Sequence, residues 1–155
     1  MGRLRRKETD VTMVDLDLAA DLVDMLRRPN PAVMATVRPD GAPVSVATWY
    51  LWDDGRILLT LDAERARLDH LRRDPRVSLT VLDGVDWYRH VSVQGTVTLG
   101  DDPDLVDADR VSRHYTGHAY PNRKRPRVTA WLDIERVHVW PAGRRRQSQN
   151  GKSSG

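Results

Sequence analysis

The chain has 155 residues, 30% charged and 39% hydrophobic, with five Trp, four Tyr, no Phe and no Cys; that length suits one domain with a single core, and the lack of cysteine excludes disulfides, thiolate metal sites and a cysteine nucleophile. The formal net charge of +3 is unevenly spread: residues 1–7 carry +4, residues 8–120 carry −8, residues 121–146 carry +6 and Lys152 the last +1. An acidic body with basic ends argues against a duplex-binding domain, which carries its basic stripe on the folded body.

Residues 1–12 read as a flexible basic arm, residues 13–141 as the folded domain and residues 142–155 as a disordered tail. No apolar run reaches membrane-spanning length and the basic start, MGRLRRKETD, is not followed by a signal-peptide core, so a cytoplasmic protein is expected. Asp17 can cap a helix to about Arg28, with Leu18, Leu22, Met25 and Leu26 facing inward, and Pro29-Asn30-Pro31 ends it. Ala32–Arg38 reads as a strand, Pro39-Asp40-Gly41 as a turn and Pro43–Trp52 as the return strand. Asp53-Asp54-Gly55 is a second hairpin signal before the third strand, Arg56–Leu61. A short helix, Glu64–Arg73, stops at Asp74-Pro75 and is followed by a strand at Arg76–Leu82. A loop at Asp83–Trp87 leads to a long strand, Tyr88–Leu99, in which Gly95 marks a bulge or a close backbone approach. Asp102-Pro103 starts a helix reaching about His114, Tyr115–Pro126 is a loop, and Arg127–Ile134 and Val137–Trp140 are the last strands. About six strands joined mostly by hairpins, with a few flanking helices, predict a mainly β fold: a six-stranded antiparallel split barrel.

The densest internal run of positive charge is Thr60–Arg76, TLDAERARLDHLRRDPR. Arg65 and Arg67 stand near a helix start just after a strand, where arginine forks and free backbone N–H groups can face an anion. A solvated helix face accounts for the same two residues equally well. Arg72, Arg73 and Arg76 read as surface or helix-end charges. His114 and His118, with Asp107 and Asp109 nearby, lack a convincing third ligand on one rigid element, so no metal site is expected. Most of the five tryptophans are expected in the core or an interface; Trp49 and Trp87 are the two placed near a ligand, with Tyr88 and Tyr120 as further pocket-lining candidates. No nucleophile, triad or paired carboxylate stands out, and no catalytic residue is assigned.

Four segments in order, Ala32–Gly41 (AVMATVRPDG), Leu71–Asp83 (LRRDPRVSLTVLD), Tyr88–Val97 (YRHVSVQGTV) and Tyr115–Pro121 (YTGHAYP), resemble the pyridoxamine-phosphate-oxidase-like flavin and deazaflavin oxidoreductases with an FMN-binding type of split barrel. The combination is most similar to the actinobacterial branch that uses the deazaflavin coenzyme F420. The resemblance implies a homodimer with the cofactor in a groove between protomers. It places the coenzyme phosphate on Thr60, Arg65 and Arg67 and the ring along Val46, Ala47, Thr48 and Trp49. The chain departs from it twice: Arg67 stands where relatives often carry lysine, and Ala47-Thr48-Trp49 where many have proline before valine-tryptophan.

The function so implied is hydride transfer between the deazaflavin and an electron-poor planar substrate, with the cofactor supplying the hydride chemistry. Arg123, Lys124, Arg125 and Arg127 are a plausible surface for the polyanionic tail of such a coenzyme. FMN is the alternative cofactor, within a pyridoxamine-phosphate-oxidase-like oxidoreductase. The alternative from another class is a non-catalytic module that binds a flavin, haem or tetrapyrrole.

Overall fold

Alternation with a period of two dominates this chain, and it folds into one antiparallel sheet. In a computed structural model, residues 11–12 and 20–141 are described. The strands are β1 (Val11–Thr12), β2 (Ala32–Val37), β3 (Pro43–Thr48), β4 (Leu51–Asp53), β5 (Arg56–Asp62), β6 (Arg76–Leu82), β7 (His90–Asp101) and β8 (Arg127–Trp140). The helices are α1 (Ala20–Arg27), α2 (Ala66–Arg73) and α3 (Val106–Thr116). Seven strands run in the order β3-β2-β6-β7-β8-β5-β4, and β1 pairs with β8. Val77, Leu79 and Val81 of β6 are buried against Met34 of β2, Val91 and Val93 of β7 and Leu132 of β8, while Ser78 and Thr80 between them face outward.

The two edge strands of this path, β3 and β4, are neighbours in sequence, separated only by Trp49 and Tyr50. A sheet whose first and last strands are joined by two residues must curl round on itself. The edges do not hydrogen-bond to each other, so the barrel is split along that line. Tyr50 fills the seam. Its side chain is fully buried, and its hydroxyl donates to the Arg28 carbonyl (3.1 Å). Asn30, also buried, fastens the approach: Nδ2 donates to the Met25 carbonyl (2.7 Å), Oδ1 accepts from the Gly84 N–H (3.1 Å), and its carbonyl accepts from the Tyr115 hydroxyl (2.6 Å).

Six strands are expected from the sequence, and the sheet has eight. The expected Pro43–Trp52 strand divides because Tyr50 turns into the core and carries the chain from one sheet edge to the other. The two expected terminal strands are one, because a bulge absorbs Glu135: Gln94 pairs with Arg136 and Gly95 with Ile134. Val11 and Thr12, read as part of the arm, pair with Val137 and Arg136. The rest of the arm, the Asp17 cap with Leu18, and the tail from residue 142 lie outside the described residues. Helix α2 starts two residues later than expected because the Asp62 carboxylate and carbonyl hold Glu64 and Arg65 in a turn. Helix α3 also starts late, after Leu105 in the left-handed region (φ 58); Asp102 still caps it, accepting from the Asp107 and Ala108 N–H groups (3.3 and 2.9 Å). The tryptophans do not build the core. Trp49, Trp87 and Trp140 are exposed and Trp52 and Trp131 half-buried, so leucine, valine, methionine and Tyr50 fill it. No described helix is long and apolar enough to cross a membrane.

Gly95 sits where β7 crosses the bulge. A Cβ there would overlap the Asp133 carbonyl oxygen and lie 2.9 Å from its carbon, both backbone atoms that cannot swing away. Gly95→Ala is therefore expected to cost about 2 kcal/mol or more, within the range for strained backbone sites. Gly100→Ala, with nothing within 4 Å of its Cβ position, should change stability by less than about 0.5 kcal/mol. Denaturant unfolding of the two variants checks this; equal midpoints would contradict the bulge as a constraint.

Candidate functional site

The β5–β8 ladder aligns Thr60 with Thr129 and Asp62 with Arg127. Alternate residues of a strand share a face, so Thr60, Asp62 and Arg127 meet at one end of the sheet. Just beyond Asp62 the chain turns into α2, whose first residues bring Arg65 and Arg67 to the same place. These residues line a cavity of about 240 Å³ together with Ala47, Thr48 and Trp49 of the opposite sheet edge and Tyr120, Asn122 and Arg125 of the loop after α3.

Charge distinguishes this cavity. Arg125 is neutralised, its Nε and Nη2 lying 3.1 Å from Asp62 and 2.8 Å from Glu64. Among the described residues Arg65, Arg67 and Arg127 have no carboxylate partner. Burial pushes the Arg67 guanidinium below its ordinary pKa, and the charges of Arg65 and Arg127 push it further the same way. Arg127 donates through Nη2 to Thr60 Oγ1 (2.7 Å) and through Nη1 to the Tyr120 hydroxyl (3.3 Å), with its guanidinium 4.6 Å from the centre of the Tyr120 ring. Its Nε is buried without a hydrogen-bond partner. Helix α2 adds backbone donors: Arg65 is its N-cap residue, in extended conformation, and its side chain caps nothing. Three cations without counter-ions, an orphaned donor and an uncapped helix start make this a candidate site for an anion.

The other flank is apolar. Ala47, Thr48 and Trp49 also line a second cavity of about 530 Å³, walled by Pro29, Pro31, Ala32 and Tyr115. The Trp49 and Tyr115 rings stack, with centroids 5.0 Å apart and planes 11° from parallel. The Tyr115 hydroxyl donates to the Asn30 carbonyl and accepts from the Tyr50 N–H (3.4 Å), which fixes the ring beneath Trp49. The two cavities thus form one groove, cationic at one end and flat and uncharged at the other, with β3 as their shared wall.

Residues 18–141 match the family of pyridoxamine 5'-phosphate oxidase. The chain belongs to this family. An F420H(2)-dependent biliverdin reductase of Mycobacterium tuberculosis is 29% identical over 124 residues, 77% of this chain and 86% of that protein. A solved F420 reductase superposes with a TM-score of 0.68 at 29% identity, over 74% of this chain and 93% of its own. A conserved hypothetical protein of M. tuberculosis superposes with a TM-score of 0.66 at 28% identity, over 84% and 89% of the two chains. The open sheet described above is the split barrel of the pyridoxamine 5'-phosphate oxidase family.

In this family member, Thr60, Arg65, Arg67, Ala47, Thr48, Trp49 and Tyr120 come together around the groove. Val46 does not line it; its side chain alternates to the other face of β3 and packs on the core. Trp87 and Tyr88 line neither cavity and stand exposed in the loop between β6 and β7, Tyr88 edge-on to Trp140. The surface read as Arg123, Lys124, Arg125 and Arg127 is largely spoken for: Arg123 pairs with Asp109 (2.6 Å), Arg125 with Asp62 and Glu64, and Arg127 bonds to Thr60 in the cavity lining (2.7 Å). Sequence reasoning left out Arg127 as a partner of Thr60, and Tyr115 as the partner of Trp49. Arg127 follows Pro126 at a strand start, and only the register of β8 on β5 reveals its neighbour. Among the described residues no three His, Cys, Asp or Glu side chains converge on one point.

Desolvation pushes the Tyr115 phenol up to about 12, against a small opposing effect of the Tyr50 N–H, and burial raises the Tyr50 phenol as well. A group whose folded pKa is raised contributes its full share of stability below its unfolded pKa and loses it as pH rises towards the folded value. Stability should therefore hold to about pH 10, the free tyrosine value, and fall between there and about pH 12. Melting temperatures across that window check this; in Tyr115→Phe the fall should be shallower.

Proposed function

We propose that this protein is an oxidoreductase that uses the deazaflavin coenzyme F420, held with its phosphodiester on Arg65, Arg67, Arg127 and Thr60 and its ring along Ala47, Thr48 and Trp49. The carrying observation is the set of three arginines without carboxylate partners at one end of a groove whose other end is flat and uncharged. A phosphodiester supplies the missing negative charge at the three arginines. The two relatives named for F420 support the choice of coenzyme.

When bound, the deazaflavin supplies the hydride donor or acceptor. The chain's own part is positional. The arginines fix one end of the coenzyme, β3 lays out its length, and the Trp49–Tyr115 stack offers an apolar face to a planar, electron-poor substrate. FMN is the second reading, because a phosphomonoester satisfies the same three arginines; a module that only stores a flavin, haem or tetrapyrrole is the third.

A titration of the purified chain with F420 and with FMN, followed by cofactor fluorescence, separates these. F420 is expected to bind at micromolar level, and Arg65→Ala and Arg67→Met each to weaken it about tenfold, or about 1.4 kcal/mol. Tight FMN binding with no response to F420 would sink the first reading. Bound F420 without turnover of any enone or tetrapyrrole would favour storage.

The groove is open on one side, and we place a second copy of the chain there, as a homodimer. The support is the outer face of β3-β2-β6-β7. In a chain with 30% charged residues, its outward Ser45, Ala47, Val33, Ala35, Ser78, Thr80 and Ser92 carry no charge, with Arg76, paired to Asp74, at the start of β6, and they adjoin the groove through Ala47. The exposed Trp87 and Tyr88 sit in the loop between two strands of that face, which suits contact with the second copy. Ala35→Arg is expected to turn a dimer into a monomer by light scattering and to weaken F420 binding with it. A wild-type monomer at micromolar concentration would dismiss the dimer.

A further inference from the structure

The loop after α3 forms one wall of the anion site; Arg125 ties its far end to Asp62 and Glu64, and the Asp109 carboxylate fastens its near end. Helix α3 ends at Gly117 in the left-handed region (φ 77), and the chain doubles back. Asp109, on α3, accepts through Oδ1 from the Tyr120 N–H (2.9 Å) and from Arg123 Nη1 (2.6 Å). Arg123 Nη1 also donates to the Tyr120 carbonyl (3.2 Å). Both backbone polar groups of Tyr120 are thereby held from one point. The helix is itself anchored beside the site, because Thr129 Oγ1, two residues beyond Arg127 on β8, donates to Asp107 Oδ2 (2.8 Å).

Tyr120 passes that order on. Its ring lies over the Arg127 guanidinium and its hydroxyl accepts from Nη1, while Nη2 is directed onto Thr60. With those two nitrogens engaged, the buried Nε is the one left without a partner. A long arginine side chain otherwise samples many rotamers, and ordering it before the ligand arrives removes that cost from binding. Asp109 has no place in the cavity lining.

We infer that Asp109 is a positioning residue of the anion site, acting through Tyr120 to hold Arg127 ready for a phosphate group. This rests on the reading of that site as the coenzyme's phosphate end, but part of its test needs no coenzyme. In the full, ligand-free chain the Arg127 Nε–Hε resonance, identified by its loss in Arg127→Lys, should be displaced by the ring current of Tyr120 and exchange slowly with water. Asp109→Ala and Tyr120→Leu should both move it to the free-arginine position; the near-isosteric Asp109→Asn should leave it between the two. Lys124→Ala, an exposed neighbour in the same loop, should leave it in place. An unmoved resonance in Asp109→Ala overturns the inference.

Binding gives the second arm. Asp109→Ala is expected to weaken F420 about fivefold and Arg127→Met about tenfold, with the double variant no weaker than Arg127→Met alone, because the two changes remove one contact. Additive losses would mean that Asp109 acts elsewhere and would overturn the inference. A wild-type chain that binds no F420 refutes the coenzyme reading, while the resonance still decides the role of Asp109.

Discussion

The seam between β3 and β4 is closed by a side chain instead of a ladder. Tyr50 lies fully buried between the two sheet edges, and its hydroxyl is used by the Arg28 carbonyl. A tyrosine buried with its hydroxyl bonded stabilises through its large apolar area and leaves no polar group unsatisfied. Successive residues of an extended chain point to opposite sides, so driving Tyr50 inward turns Trp49 outward. The same step that closes the barrel therefore puts a flat indole on the wall of the groove. Asn30 and Tyr115 extend the constraint, linking α1, the end of α3 and the loop after β6 to this seam.

Charge compensation divides the surface into two kinds. Arg56, Arg76 and Arg110 sit within 2.8 Å of carboxylates and are exposed; such pairs contribute little to stability and serve mainly to neutralise charge. Arg65, Arg67 and Arg127 differ because no described carboxylate reaches them, although Asp62 lies in the same cavity. Arg125 occupies that carboxylate from the loop side. The loop after α3 thus removes the negative charge that would otherwise weaken the site and positions Tyr120 over Arg127.

Much of this was legible in the sequence. The period-two runs located the strands, and Gly95 was readable as a bulge or close approach because a glycine inside such a run gains nothing unless space forbids a Cβ. The clustering of Arg65 and Arg67 after a strand pointed to their end of the groove, since local chain order alone puts a helix start there. What stayed hidden depended on partners far apart in sequence. Whether Arg127 joins Thr60 or a surface patch is set by the register of β8 on β5, and one residue of slip would turn it to the other face. Of the tryptophans expected in the core or an interface, only Trp52 packs against the core and Trp131 is half-buried, because Tyr50 and the aliphatic residues of the strands fill the interior.

The sequence by itself determined the element types, the family and the location of a cationic cluster, because these rest on local periodicity, turn chemistry and charge within a few residues. Only the tertiary structure decided which arginines lack a counter-ion, that Trp49 rests on Tyr115, and that Asp109 reaches Tyr120. Those depend on strand register and on a loop folding back across α3, and the energies that choose among such pairings are sums over contacts between residues distant along the chain.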